Sequence, residues 1–207
     1  MALSDTKQKI LEASLQLFNE NGISNVRLQQ IADEAGISVG NLAYHFSNKE
    51  AITESLIVNV ITSLQDLLRE YGKYPTLHDL DYFFAGFYQL CARYAFFKFD
   101  VLEIKRNFPA SYELLEPLFK KVRLQLERRF DGCVQQRLLQ KGVDTGNIAR
   151  NVWLFMFFMP AAEQLNNDTP ISSTQYRRRL WDYILLYFTG KGNTEYTSVI
   201  EPELTDR

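Results

Sequence analysis

The sequence predicts an all-α fold in two parts, a small three-helix unit at the N-terminus and a larger helical bundle behind it. Three observations carry this. Apolar residues recur at spacings of three and four along most of the chain, the period of a helix rather than a strand. Glycine and proline are sparse, 10 and 6 of 207 residues. Where breakers do fall, as at Asn21-Gly22, Gly36, Pro109 and Gly142, they separate periodic segments instead of interrupting them. At 46% hydrophobic residues the chain has ample material for a buried core.

The first helix is expected from Thr6 to Asn21, with Ile10, Leu11, Ala13, Leu17 and Phe18 as its buried stripe. The next carries Leu28, Ile31, Ala32 and Ala35, whose offsets of three, four and seven share one helical face. Ala32 is small enough for a following helix to cross close to it. Gly36 ends the second helix where a left-handed residue is needed, and Ile37 fills the corner. Ser38 then caps a third helix from about Val39 to Phe46. Leu42 and Phe46, four apart, point inward. Gly40, Asn41, Ala43, Tyr44 and His45 face outward. Two short helices hinged at a glycine, the second presenting a polar face, form a helix-turn-helix.

The outward residues suit a duplex. Asn41 can donate and accept together, which matches the major-groove edge of adenine. Gly40 lets the backbone approach closely. Tyr44 and His45 can bond phosphate oxygens, which position a protein without reading sequence. Ser47-Asn48-Lys49-Glu50 has a capping-box pattern and opens the next helix, with Lys49 in its first turn. The candidate DNA-facing set is Arg27, Ser38, Val39, Gly40, Asn41, Tyr44, His45 and Lys49.

The stretch Ile31-Ala32, Ala35-Gly36-Ile37-Ser38, Gly40-Asn41-Leu42, Tyr44-His45-Phe46 and Lys49-Glu50 resembles the DNA-binding domain of the TetR family of transcriptional regulators, over roughly residues 6–55. The resemblance implies that the helix from Val39 is the recognition helix. It places Gly40, Tyr44, His45 and Lys49 on family DNA-contact positions. The chain departs from the family pattern in three places. Arg27 stands where Ser or Thr is usual, Ala43 where Tyr is frequent, and Asn41 where Thr is common.

The charge balance fits a polyanion poorly. The chain carries a net −2. In residues 1–50, Lys7, Lys9, Arg27 and Lys49 stand against Asp5, Glu12, Glu20, Asp33, Glu34 and Glu50. A few placed groups must therefore make the phosphate contacts. Affinity per subunit should be modest, salt dependence shallow and two subunits needed per site.

Residues 1–50 are expected to form the DNA-binding domain, 51–190 a helical domain for dimerisation and effector binding, and 191–207 a polar, disordered tail. The helix from Asn48 to Tyr71, with Ile52, Leu56, Val60, Leu64, Leu67 and Leu68 inward, should serve both domains. After Pro75 an aromatic helix is expected over Leu77–Phe97, then a short one over Asp100–Arg106. A long helix should start at Pro117 and run to Lys141, with Leu118, Val122, Leu126, Phe130 and Val134 in one row and Gly142 closing it. Asn147–Leu165 is apolar nearly all round, so it needs cover on more than one side. Thr174–Thr189 completes the bundle.

That all-round apolar helix suggests pairing of the last two helices across a two-fold axis, as the resemblance also implies. Trp153, Phe157, Trp181, Ile184 and Phe188 are the candidate interface residues of a homodimer. Tyr82, Phe83, Phe87, Tyr88, Phe155 and Phe158 are candidates to line a pocket for an apolar or aromatic effector, or else ordinary core. The Arg177-Arg178-Arg179 run reads as a solvated face or interface rim.

Other classes fit less well. His45 and His78 are the only histidines, and neither has Glu three residues before it, as a di-iron bundle requires. HExxH, a phosphate-cradling loop and a dinucleotide fingerprint are all missing. No catalytic residue, metal or cofactor is therefore expected. Cys91 and Cys133 lack metal-like spacing and suit reduced core positions in the cytoplasm. The longest apolar run, Val152–Ala162, is well short of the roughly 20 residues of a membrane span, and the polar opening Met1–Asp5 suggests no leader. The rival reading is a helical adaptor that binds protein instead of a double-stranded operator.

Overall fold

Helices form wherever the apolar period runs uninterrupted. The computed structural model describes residues 5–71, 76–166 and 170–205. These form α1 (Asp5–Asn21), α2 (Leu28–Glu34), α3 (Val39–His45), α4 (Lys49–Tyr71), α5 (Leu77–Arg93), α6 (Ala95–Phe99), α7 (Val101–Asn107), α8 (Pro109–Gln135), α9 (Thr145–Asn166), α10 (Ser173–Leu185) and α11 (Gly190–Val199). A 3-10 turn follows at Glu201–Leu204. Among the described residues the one extended pairing is the bridge between Leu139 and Phe188. Pro75, the expected breaker before α5, lies outside the described residues.

The chain divides into two compact units, and the division runs through α4, α5 and α8. The first holds residues up to Ser63 together with Cys91–Glu116; the second holds Leu64–Leu90 and Pro117–Arg207. This differs from a cut at residue 50. The reason is that α6 and α7 contribute to the first unit. Phe96 packs edge-on against Phe18 with ring centroids 6.1 Å apart. Asn19 uses both ends of its amide, accepting from the Phe96 N–H and donating to the Arg93 carbonyl, each at 2.9 Å. Those two groups lie where α5 breaks at Tyr94. The expected single helix over Leu77–Phe97 is therefore two, and the break serves as an attachment point for α1.

The second unit is built around Trp181 of α10, whose ring is fully buried. Phe84, Phe188 and Tyr196 surround it at centroid distances of 5.7, 6.3 and 5.6 Å. Its indole N–H donates to Asp81 at 2.8 Å, and the other oxygen of that buried carboxylate pairs with Arg177. The middle arginine run is thus partly structural. Arg177 neutralises Asp81, Arg178 donates to the Leu204 carbonyl, and Arg179 pairs with Glu163. A second half-hidden pair, Arg129 with Asp79 at 2.6 Å, also holds the Tyr71 carbonyl, and the guanidinium lies 4.5 Å from the Tyr71 ring centre. Burial pushes the Asp79 carboxyl and the Tyr71 phenol up, and Arg129 offsets part of both shifts.

Three features of the helices need a physical account, and the first and third are corrections. First, α8 begins at Pro109, not Pro117. Proline at the first helical position costs no hydrogen bond, and Pro117, inside the helix, lies on its exposed side. The helix also ends before Lys141, because Arg137 takes a left-handed conformation at φ 61° and reverses the chain ahead of Gly142. Second, Pro160 sits inside α9, where it cannot donate to the Met156 carbonyl. The hydroxyl of buried Tyr176 on α10 donates to that carbonyl instead, at 2.9 Å. Third, residues beyond Gly190 are not a disordered tail. Thr189 caps α11, and Gly192 lies so close to the Leu138 carbonyl that a Cβ there would stand 2.2 Å from it. Tyr196 closes over Trp181. Polar composition misleads because one side of this short helix carries the small and aromatic residues that dock.

α4 alone reaches the length and mean hydropathy, 1.2, of a membrane-spanning helix among the described residues. Its Ile52, Leu56, Ile57, Val60, Leu64 and Leu68 are instead buried within the protein.

Candidate nucleic-acid interface

The hinge between α2 and α3 follows from Gly36. This residue adopts φ +68°, a conformation that glycine reaches without strain. Its N–H bonds the Asp33 carbonyl at 3.1 Å, and the Ile37 N–H reaches back to Ala32 at 3.0 Å. The paired bonds form a Schellman stop, which satisfies two carbonyls at the end of α2 and turns the chain sharply. Ser38 then starts α3, its hydroxyl accepting from the Asn41 N–H at 3.1 Å. At the other end of α2, Gln30 accepts from the Arg27 N–H at 2.8 Å, so half of a capping box survives without the usual hydroxyl.

α3 turns Leu42 inward, fully buried, with Phe46 just beyond the helix also buried. Lys7 lies 5.1 Å from the centre of the Phe46 ring. Gly40, Asn41, Ala43 and Tyr44 are exposed, and Val39 and His45 are half-buried. Tyr44 is 85% exposed and meets His45 edge-on at 5.2 Å. A Cβ at Gly40 would approach only the Ser38 hydroxyl, at 3.9 Å. The protein's own packing therefore does not require glycine there, although glycine weakens a helix by about 1 kcal/mol relative to alanine. The bare backbone there leaves room for close approach from outside the chain. The sequence-derived residues of α3 thus share one outward surface, with Ser38 at its base and exposed Arg27 at the start of α2.

Lys49 departs from the expected geometry. Its ammonium turns into the domain and donates to the carbonyls of Ile23 at 2.8 Å, Val26 at 3.1 Å and Ser24 at 3.5 Å. It ties the α1–α2 turn to the start of α4 instead of reaching outward. The expected Ser47–Glu50 box also gives way, since Asn48 caps α4 by accepting from the Ala51 N–H at 2.9 Å. The same turn is held from the other side by the N-cap of α7. Asp100 accepts from the Ile23 N–H at 3.0 Å, and Ser24 donates to Glu103. Burial pushes the Asp100 carboxyl up, the Ile23 bond pulls it down, and neighbouring Glu103 raises it further. Asn19 and Asp100 went unnoticed in the sequence because their partners lie more than seventy residues away.

Residues 10–56 match the family model described as bacterial regulatory proteins, tetR family. These residues form a DNA-binding domain of the TetR type. The HTH-type transcriptional regulator RutR of Escherichia coli K12 is 34% identical over 113 residues, which are 55% of this chain and 47% of that regulator. The matched part thus spans about half the length of that relative. The HTH-type transcriptional repressor DhaR of Mycobacterium sp. strain GP1 is 27% identical over 158 residues, 73% of this chain and 74% of DhaR. A crystal structure of a TetR-family transcriptional regulator from Marinobacter aquaeolei VT8 superposes with a TM-score of 0.84 at 22% identity, covering 98% of this chain and 100% of that one. At that identity the likeness concerns the fold.

The sequence-predicted residues beyond this domain separate differently from expectation. Of the proposed interface set, Trp181, Ile184, Phe188 and Phe157 are buried in their own chain, and Trp153 is half-buried. Of the proposed pocket set, Phe83 and Phe87 are core and Tyr88 donates to the Ile171 carbonyl at 2.6 Å. Tyr82, Phe155 and Phe158 lie partly on the surface, at 54, 40 and 45% exposure. Both sets were read from helical period, which finds apolar faces without saying which one the chain covers itself.

Proposed function

We propose that this protein is a sequence-specific DNA-binding transcriptional regulator acting as a homodimer. The observation that carries this is the outward face of α3, with exposed Gly40, Asn41, Ala43 and Tyr44 on a capped, hinge-mounted helix. A recognition helix of this kind enters the major groove, and paired copies read half-sites about one helical turn or a multiple apart. A gel shift with DNA from upstream of the chain's own gene is the direct test. Wild type should bind and Tyr44→Ala should not, with thermal stability within about 0.5 kcal/mol of wild type because the side chain is exposed. Failure to select any duplex from a random pool would favour the protein adaptor.

The dimer is assigned to a face of α9 and α10 other than the one the sequence suggests. Leu154, Phe155 and Phe158 on α9 and Leu186 beyond α10 are exposed. Phe155 packs edge-on against Tyr183 at 5.1 Å, and Tyr183 stands 5.5 Å from Tyr187. A contiguous aromatic patch of this kind suits a protein interface. Repression by promoter occupancy is the favoured outcome, in keeping with DhaR, which is itself a repressor. Release by a small apolar or aromatic effector in the second unit completes the proposal. Its support is the aromatic core of that unit and, separately, the buried Gln125 Oε1, which finds no donor among the described residues. The role is regulatory rather than enzymatic, and its place is with the DNA in the cytoplasm.

A further inference from the structure

The outward face of α3, the DNA-reading surface of the proposal above, is defined by what it lacks. From Val39 to His45 it carries no Arg, Lys, Asp or Glu. Guanine presents two acceptors in the major groove and is read by a bidentate Arg or Lys, while cytosine presents a donor suited to a carboxylate. Neither reader is on this helix. The cation at the start of α4, Lys49, is committed to the carbonyls of Ile23 and Val26 at 2.8 and 3.1 Å. What α3 does offer outward is one primary amide, Asn41, and one bare methyl, Ala43, both exposed. At about 100° per residue, these two flank the outward face on opposite sides, because Leu42 between them points into the core. They therefore address different base pairs. The Asn41 N–H is already bound by Ser38, which fixes the backbone from which the amide projects.

We infer that the bases under α3 are A·T pairs, with adenine read by the Asn41 amide through N6 and N7 and a thymine methyl packed against Ala43. The inference rests on the DNA-binding reading above and narrows it to a class of operator. Tyr44 and His45 remain for phosphates or single bonds, which discriminate less between bases.

The test uses the full-length protein and half-sites recovered by selection from a random duplex pool. Each adenine and each guanine is replaced in turn by its 7-deaza analogue and each thymine by deoxyuridine, so these probes leave the protein untouched. One adenine should lose binding about five-fold or more with wild type, in the range of a bidentate base contact, and lose nothing further with Asn41→Ala. One thymine should lose a few-fold with wild type and nothing further with Ala43→Gly. Both residues are exposed, and circular dichroism of the variants checks that α3 is intact. The inference is overturned if no adenine or thymine behaves this way, or if the dependence removed by Asn41→Ala is instead on guanine N7. Failure to recover any duplex overturns the DNA-binding reading itself, so the two failures are distinguishable.

Discussion

Individual side chains of the first unit divide into those that face outward and those that hold the outward ones in place. Lys49 belongs to the second group, although its position in the sequence suggests the first. Its ammonium serves three carbonyls of the α1–α2 turn, and unpaired, partly buried carbonyls cost about 1–3 kcal/mol. Lys49→Ala should lower stability by about that much and leave the salt slope of DNA binding unchanged; a flatter slope at unchanged stability would restore the phosphate role. Asp100 has a similar supporting part. Its folded-state acidity is weakened by burial, so its carboxyl binds a proton more tightly folded than unfolded. The wild type should therefore gain stability relative to Asp100→Asn as pH falls through the carboxylate range, and lose that gain as pH rises through it. The asparagine oxygen can still accept from the Ile23 N–H. Asp100→Ala cannot, and should cost about 1–3 kcal/mol at neutral pH. Denaturant midpoints at several pH values separate the three proteins. The Cys133 thiol, pushed up to about 11 by burial, fits an inert core position.

At the scale of elements, the two prolines within helices show how local rules bend to tertiary partners. Pro117 lies on the exposed side of α8, where water can serve the freed carbonyl. Pro160 is buried, and Tyr176 supplies the missing donor to Met156. Tyr176→Phe keeps the ring and removes only that donor. It should destabilise the protein by about 1–3 kcal/mol, read from the urea midpoint at unchanged slope. An effect within about 0.5 kcal/mol would mean that the carbonyl finds water. Helix α11 makes the converse point. Its sequence is polar, but Thr189 caps it, Gly192 permits contact with Leu138, and Tyr196 completes the cover of Trp181.

For the whole molecule, the consequential question is which apolar surface is core and which is shared. Trp181 and Phe155 give opposite predictions. Trp181→Ala should destabilise each subunit by about 3–5 kcal/mol, the usual cost of emptying a buried aromatic site. Phe155→Asp should leave the subunit folded and convert a dimer to a monomer in sedimentation at micromolar concentration, with loss of operator binding. If Phe155→Asp stays dimeric, the interface lies elsewhere on the surface.

The all-α class and the helix-turn-helix are set by local chemistry, and the sequence alone determined them. The 3.6-residue period, the glycine at Gly36, the Ser38 cap and the polar face of α3 all act within a few residues of one another. The buried Leu42 and exposed Tyr44 lie where the period puts them. Tertiary structure alone decided the rest. It turned Lys49 inward, because the carbonyls it serves come from a turn more than twenty residues earlier. It joined Asn19 and Asp100 to partners over seventy residues away, docked α11, and put Trp181 inside and Phe155 outside. Helical period marks a face as apolar. The choice between burying that face within the chain and leaving it for another molecule depends on what the rest of the fold brings against it.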